Sequence, residues 1–386
     1  MQYAREARRL LVTLVIVGAT AVTADAQVQP PPTLEAKAWI LVDHETGKVL
    51  AAQNENARLG PASITKLMTA YAVYKALAAG AVKMNDPVQV SENAWRTGGA
   101  GSGGSTTMLP INSSATLEVM LKGMIIQSGN DASIALAEHL AGSEAAFSDV
   151  MNRHAQELGL ENSHFMNATG LPDPNHFMSA ADIAALSRAI IREFPEHYAW
   201  YRERDYVFNG IKQGNRNLLL YRDPTVDGLK TGHTSTAGYC LAASAKRGDM
   251  RLVSVVMAMA NEEARAKASG ELLNYGFRFY ETRRLYQAGQ KLANARVWKG
   301  SAEQVGLGLA EDVWVTIPRG SAAQVQAKTD TPRDLVAPVA TGTPAGRLTL
   351  TLAGQPLAET GLVPLAAIAK GSLWRQAVDT VLLWFE

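Results

Sequence analysis

Apolar residues run almost unbroken through Ala38–Val42 and return at Val49–Ala52, with the polar segment Asp43–Lys48 between them. Two strands joined by a turn at Gly47 are predicted. Beyond Ser63 the spacing changes. Apolar positions 64, 67, 68, 71, 74 and 78 keep a helical step up to Gly80, which predicts a helix over Ser63–Ala79 closed by a C′ glycine. Thr116–Ile126 and Ala132–Leu140 carry the same period, as does Ala180–Arg192, opened by Ser179 as N-cap with Asp182 three residues on. Tyr239–Ala245 and Arg251–Ala258 read as consecutive strands around Arg247-Gly248-Asp249, and Glu262–Arg278 as a last long helix. Strands at both ends of a run of helices predict one α+β domain over residues 33–285, its sheet uniting distant segments. Later the texture alters. Val313–Ile317, Ala323–Lys328 and Leu348–Leu352 alternate with period two between glycines and prolines, and a small all-β module over residues 290–368 is expected.

The two ends read differently. Arg5, Arg8 and Arg9 precede a mostly apolar run, Leu10–Val22, and then Ala24-Asp25-Ala26. This pattern predicts a cleavable secretory signal over residues 1–26; its apolar run is short for a membrane span. At the other end, after Gly371-Ser372, apolar positions 373, 377, 381 and 384 share one helical face. An amphipathic helix over 371–386 is expected. It is too short to cross a bilayer, and Trp374 and Trp384 near its two ends suit a membrane interface. The alternative is a helix whose apolar face covers its own domain.

Composition narrows the function. Hydrophobic residues make 47% of the chain and charged residues 19%, enough to bury a core. Lys+Arg total 37 against 36 Asp+Glu, so there is no overall basic field for nucleic acid. The single cysteine, Cys240, excludes an internal disulfide or a Cys-only metal cluster, and is expected as a small buried residue. The glycine-rich stretch Gly98–Gly104 lacks a following Gly-Lys-Ser/Thr and is not a P-loop; it is expected to be mobile.

Three short motifs carry candidate chemistry. In Ser63-Ile64-Thr65-Lys66, serine and lysine three apart share a helical face. A hydroxyl becomes a good nucleophile when a lysine kept neutral by burial or a nearby cation takes its proton. Ser128-Gly129-Asn130 falls in a tight loop between two helices and presents a hydroxyl and an amide. A similar triplet, Ser91-Glu92-Asn93, reads as an ordinary N-cap. Lys230-Thr231-Gly232 precedes a predicted strand and offers a cation, a hydroxyl and an open backbone edge for an extended substrate. Each motif alone could be structural; their order and context make the combination informative.

Ser-x-x-Lys, Ser-x-Asn and Lys-Thr-Gly in this order resemble the signature of penicillin-binding proteins and serine β-lactamases. The fuller segments Pro61–Thr69, Ser128–Ala132 and Asp227–Ser235 resemble those of low-molecular-mass penicillin-binding proteins that are D-alanyl-D-alanine carboxypeptidases. The resemblance implies a β-lactamase-like transpeptidase domain, a small all-β domain and an amphipathic C-terminal anchor. It implies Ser63 as nucleophile, Lys66 as general base and Ser128 as a proton relay with Lys66 and Lys230. Asn130 would hold the substrate amide. Lys230 and Thr231, with Gly232 beside them, would bind the terminal carboxylate, aided by Arg216 and Arg265. Backbone N–H groups of Ser63 and His233 would form the oxyanion hole. The implied partners are peptidoglycan pentapeptide stems, β-lactam antibiotics and, through Leu373–Glu386, the outer face of the inner membrane, in the periplasm. No cofactor or metal is implied. A class A β-lactamase would need a deacylating glutamate, and Gly170–Ser179 contains none. An endopeptidase would share the motifs; a non-catalytic scaffold would not need Ser63 and Lys66.

Overall fold

The computed structural model describes residues 28–332 and 334–385, so the expected signal segment lies outside the described residues. Strands β1 (Ala38–Asp43), β2 (Val49–Gln53), β3 (Val226–Thr234), β4 (Gly238–Arg247) and β5 (Met250–Met259) form one antiparallel sheet in the order β2-β1-β5-β4-β3. The near-continuous apolar text of β1 has a simple cause: both faces of the sheet are covered. Ala38, Ile40 and Val42 enter one core and Trp39 and Leu41 the other. The first core is filled by α1 (Lys66–Ala78), α2 (Leu117–Ile126), α3 (Asn130–Ala141), α4 (Glu144–Glu157) and α5 (Ala180–Glu193). The second is closed by α6 (Glu262–Phe279). Helix starts follow their caps: Ser179 Oγ accepts from Asp182 N at 3.1 Å and Asn261 Oδ1 from Ala264 N at 2.8 Å. Ser91 Oγ likewise caps a short helix, Glu92–Gly98, as its sequence suggested.

Two segments differ from expectation. The helix expected from Ser63 begins instead as a 3-10 turn, Ala62–Thr65, and becomes α-helical at Lys66. The strand expected at Ala323 begins at Val325, after a 3-10 turn at Ala322–Gln324.

The β-rich half follows. It comprises β6 (Tyr280–Tyr286), β7 (Lys291–Trp298), β8 (Gln304–Leu309), β9 (Val313–Pro318), β10 (Val325–Asp330), β11 (Asp334–Val336), β12 (Gly346–Leu352) and β13 (Gln355–Pro364). β6 pairs with β9, and the other six form a sheet in the order β10-β12-β13-β8-β7-β11. The two halves are joined by buried hydroxyls: Thr282 Oγ1 donates to Asp43 Oδ2 at 2.6 Å, and Thr46 Oγ1 lies 2.7 Å from Thr316 Oγ1.

The last helix, α7 (Leu373–Leu382), faces the opposite way to a core helix. Its polar side turns inward, where Asp379 accepts a hydrogen bond from Lys299 N and Arg375 meets Glu303 at 3.6 Å. Leu373, Trp374, Val381, Trp384 and Phe385 stand in solvent, 59–87% exposed. The alternative of an apolar face covering its own domain is therefore not what the structure contains. Among the described residues no helix is long and apolar enough to cross a membrane.

Candidate active site

The Ser63 turn is wedged between two backbone segments that approach only because they carry glycine. A Cβ on Gly170, whose φ is +84°, would lie 1.8 Å from Ala62 O, and one on Gly232 would lie 2.7 Å from Pro61 O. Ala62 and Ser128 themselves have positive φ, 49° and 65°. Non-glycine residues held there cost on the order of 1–3 kcal/mol each and persist where surrounding structure over-determines them. The turn, the edge strand β3 and the α2–α3 loop thus meet around a cleft of about 630 Å³, lined by Ser63, Ser128, Asn130, Thr231, Gly232 and His233 among others.

Lys66 organises the centre. It is 1% exposed, and its Nζ lies 2.9 Å from Ser63 Oγ, 2.7 Å from Asn130 Oδ1 and 2.7 Å from Thr169 O. The amide and backbone oxygens are acceptors only, so they take two N–H bonds. In the neutral amine the lone pair is then left for the Ser63 hydroxyl, which donates to it. Burial pushes Lys66 down to about 7, helped by the Arg216 charge and opposed by Asp131 and Glu144. A neutral Lys66 is therefore accessible near neutral pH. This is the geometry of a serine activated by an adjacent base.

The other motif residues converge on the same cleft. Lys66 bonds to Ser63, Asn130 and Thr169, and Ser128 receives no hydrogen bond from either lysine; it lines the cleft beside them. Ser128 has a left-handed backbone just ahead of α3. Asn130 holds Lys66 through its side chain, while its N–H donates to Ser105 O at 2.8 Å. Lys230 is buried, with Nζ 3.2 Å from Thr231 O. Its pKa is held well below the ordinary lysine value, first by burial and then by Lys66, Arg216 and Arg265. Arg265, 4% exposed, donates to Gly232 O at 3.1 Å and pairs with Glu262 at 2.7 Å. Arg216 reaches across the cleft to donate to Ser105 Oγ at 2.7 Å. His233 stacks on Tyr239 with ring centroids 4.0 Å apart. Glu262 supplies the carboxylate among the described lining residues, so the cleft is net positive. Cys240 is fully buried on β4, as expected for a small core residue.

Several supporting residues escaped the sequence reading. Asp131, wholly buried, accepts from Thr107 N and Ala132 N through Oδ1, and from Thr106 Oγ1 and Leu109 N through Oδ2, at 2.8–3.0 Å. It ties the segment leading to Leu109 onto the start of α3. Thr169, whose carbonyl holds Lys66, is itself placed by Asn167 Oδ1, which accepts from Thr169 N and Thr169 Oγ1. His176 is pushed down to about 4 by burial and is neutral; Nδ1 accepts from Met166 N, so Nε2 donates to Thr65 Oγ1 at 2.8 Å. The contacts that bring these residues to the site span 22 to 111 residues, as from Asp131 to Leu109 and from His176 to Thr65, and only Asp131, adjacent to the Ser-x-Asn motif, carried a local hint.

Comparison with known proteins gives the family and the fold. Residues 24–261 match the family described as D-alanyl-D-alanine carboxypeptidase, and residues 280–370 match the penicillin-binding protein 5 C-terminal domain. The chain is 41% identical over 376 residues to the D-alanyl-D-alanine carboxypeptidase DacC of Escherichia coli (strain K12), covering 97% of this chain and 94% of that one. The crystal structure of penicillin binding protein 5 from Haemophilus influenzae superposes with a TM-score of 0.83 at 39% identity, covering 89% of this chain and all of that one. Penicillin-binding protein D2 from Listeria monocytogenes, in its ampicillin-bound form, aligns with a TM-score of 0.56 at 28% identity, over 64% of this chain and all of that one.

Proposed function

The chain belongs to the D-alanyl-D-alanine carboxypeptidase family, and we propose that it works through an acyl-enzyme on Ser63, trimming the terminal D-alanine from peptidoglycan pentapeptide stems. The overall activity, serine-type D-alanyl-D-alanine carboxypeptidase, is a hydrolysis. The observation that carries the assignment of roles is the buried Lys66 amine, 2.9 Å from Ser63 Oγ and bound to two obligate acceptors.

The Ser63 hydroxyl gives its proton to Lys66 Nζ as Oγ attacks the carbonyl carbon of the penultimate D-alanine. The tetrahedral oxyanion is met by the backbone N–H groups of Ser63 and His233. Collapse breaks the C–N bond, and the leaving amine takes the proton from Lys66 by way of Ser128. Water then attacks the ester, Lys66 again accepts the proton, and Ser63 is regenerated. Asn130 holds the substrate amide. Lys230, Thr231, Arg216 and Arg265 select a free terminal carboxylate, a task suited to guanidinium forks. A β-lactam presents a reactive amide to the same serine.

The test is release of D-alanine from diacetyl-Lys-D-Ala-D-Ala by the purified protein. Release supports the reading; intact peptide beside a penicillin-labelled Ser63 would sink it in favour of an endopeptidase or binding role.

The proposed location is the periplasm, after removal of residues 1–26, with α7 resting on the inner membrane. The support is the outward apolar face of α7 and the polar contacts that fix its other side. Deleting residues 373–386 is expected to move the protein from the membrane fraction to the soluble fraction with kcat/KM on the short peptide unchanged. Retention on the membrane would return α7 to a purely structural role.

A further inference from the structure

A second cavity opens at the seam between the first sheet and the β-rich half. It is a groove of about 1090 Å³, larger than the catalytic cleft, and the two share no lining residue. Five arginines line it: Arg247 from the end of β4, Arg278 from the end of α6, Arg283 and Arg284 from β6, and Arg319 just beyond β9. The carboxylates in its wall are Asp249 and Glu281, and Glu281 is engaged by Arg283 at 2.9 Å. Arg284 and Arg247 find their partners, Asp312 and Asp223, outside the lining, at 2.8 and 2.9 Å. Arg278 is exposed and lies over the Phe279 ring at 5.3 Å, while Arg319 donates only to backbone carbonyls, Phe277 O and Tyr280 O. Arg278 makes no ion pair with a carboxylate among the described residues, and Arg319 shares the field of Glu281 with Arg283 without an ion pair of its own. Trp314, with Arg284 5.8 Å above its ring, adds a flat apolar surface.

Guanidiniums gathered with too few carboxylates repel one another, and an incoming anion relieves this. Their planar forks match carboxylates and phosphates. The position of the groove separates these sources. α7 packs near Trp298, at one end of β7, as the contact of Asp379 with Lys299 N shows. The groove lies near the other end: Ala288 N, three residues before Lys291, donates to Asp312 Oδ1, and Asp312 pairs with Arg284. The eight residues of β7 span roughly 25 Å at the usual strand rise. The groove is thus separated from α7 by about the length of β7.

On the proposed function, the substrate is a polymer whose stem peptides carry repeated free carboxylates. We infer that the arginine groove is an exosite for a carboxylate-bearing stretch of peptidoglycan, separate from the stem being cut. Its effect is to raise the local concentration of stems at Ser63 through two-point attachment.

The test uses protein whose catalytic cleft has been blocked by penicillin, mixed with purified, lipid-free peptidoglycan sacculi and sedimented. With the cleft blocked, the sedimentation reads the groove alone, and the double variant Arg278→Gln/Arg283→Gln is expected to bind roughly tenfold more weakly, through loss of charge-assisted hydrogen bonds to carboxylates. Arg278→Lys/Arg283→Lys should keep most of the binding, and added salt should weaken the wild type. Unblocked protein should turn over diacetyl-Lys-D-Ala-D-Ala at the same rate with or without the changes. Equal sedimentation of wild type and Gln variant overturns the exosite. So does a selective loss of binding to anionic phospholipid vesicles with sacculus binding intact, which would assign the groove to headgroups. If the double variant misfolds by circular dichroism, the exposed single change Arg278→Gln decides in its place. Failure of the wild type on the short peptide would count against the catalytic reading instead, and is read separately.

Discussion

Ser63→Ala is expected to abolish covalent labelling by penicillin and to lower D-alanine release by roughly 10⁶-fold, the scale seen when a serine hydrolase loses its nucleophile. The fold should survive. Ser63 is half-buried on a 3-10 turn, and the turn is held from outside by Gly170 and Gly232 packed against Ala62 and Pro61. Removing one hydroxyl leaves those contacts in place. The thermal midpoint should therefore stay within a few degrees, because a change of about 1 kcal/mol moves a domain of this size by about 2–4 °C. Residual labelling at the wild-type rate would remove Ser63 from the nucleophile's role.

Lys66→Ala is the second large effect. Losing a positioned general base costs about 10²- to 10⁴-fold, and the pH profile separates that role from a structural one. Burial brings Lys66 to about 7. Below that pH, Nζ carries a third proton, has no lone pair and cannot accept from Ser63. The wild-type kcat/KM should fall about tenfold per pH unit on the acid side of 7 and level off above it. The variant should lose that limb altogether. A limb that persists near 7 in Lys66→Ala would belong to another group, and Lys230, the other buried amine of the site, would be the first to examine. The variant also strips Asn130 Oδ1 and Thr169 O of their shared donor. Some loss of stability is expected, so the shape of the pH profile decides, rather than the rate alone.

Much of this site can be read in the primary structure, because its reactive groups sit in short motifs. Ser63 and Lys66 are three residues apart, and helical geometry alone brings their side chains together whether the turn is 3-10 or α. Lys230-Thr231-Gly232 was expected ahead of a strand; it stands on β3 itself, whose text is poor in apolar residues and which is a strand through its pairing with β4 at the sheet edge. The long-range part could not be read this way. Thr169 holds Lys66 through a backbone carbonyl, which any residue carries, so no side-chain type announces it. Asp131 and His176 act on segments that are brought to them only by folding. Ser128 was expected to bridge the two lysines. In the structure it lines the cleft beside them without a hydrogen bond to either, and no local pattern reports a φ of 65° at a serine. The same contrast holds for the fold. In the first sheet β1, β2, β4 and β5 were expected from their apolar text, while the more polar edge strand β3 was not. In the β-rich half, β7 and β8 are broken by half-exposed and small residues, and β8 pairs on its other side with β13, about 50 residues later. The helix at the C-terminus was expected as amphipathic. Which face it turns outward depended on Lys299 and Glu303, and that the sequence alone does not tell.

The account stands or falls on where the acyl group goes. Treat the purified protein with penicillin, quench with acid, measure the intact mass and map the adduct by proteolysis and tandem mass spectrometry. The account predicts one penicilloyl group per chain, on Ser63, appearing faster above pH 7 than below and suppressed by excess diacetyl-Lys-D-Ala-D-Ala. An adduct on Ser128 or another residue, or none while D-alanine is still released, would contradict it.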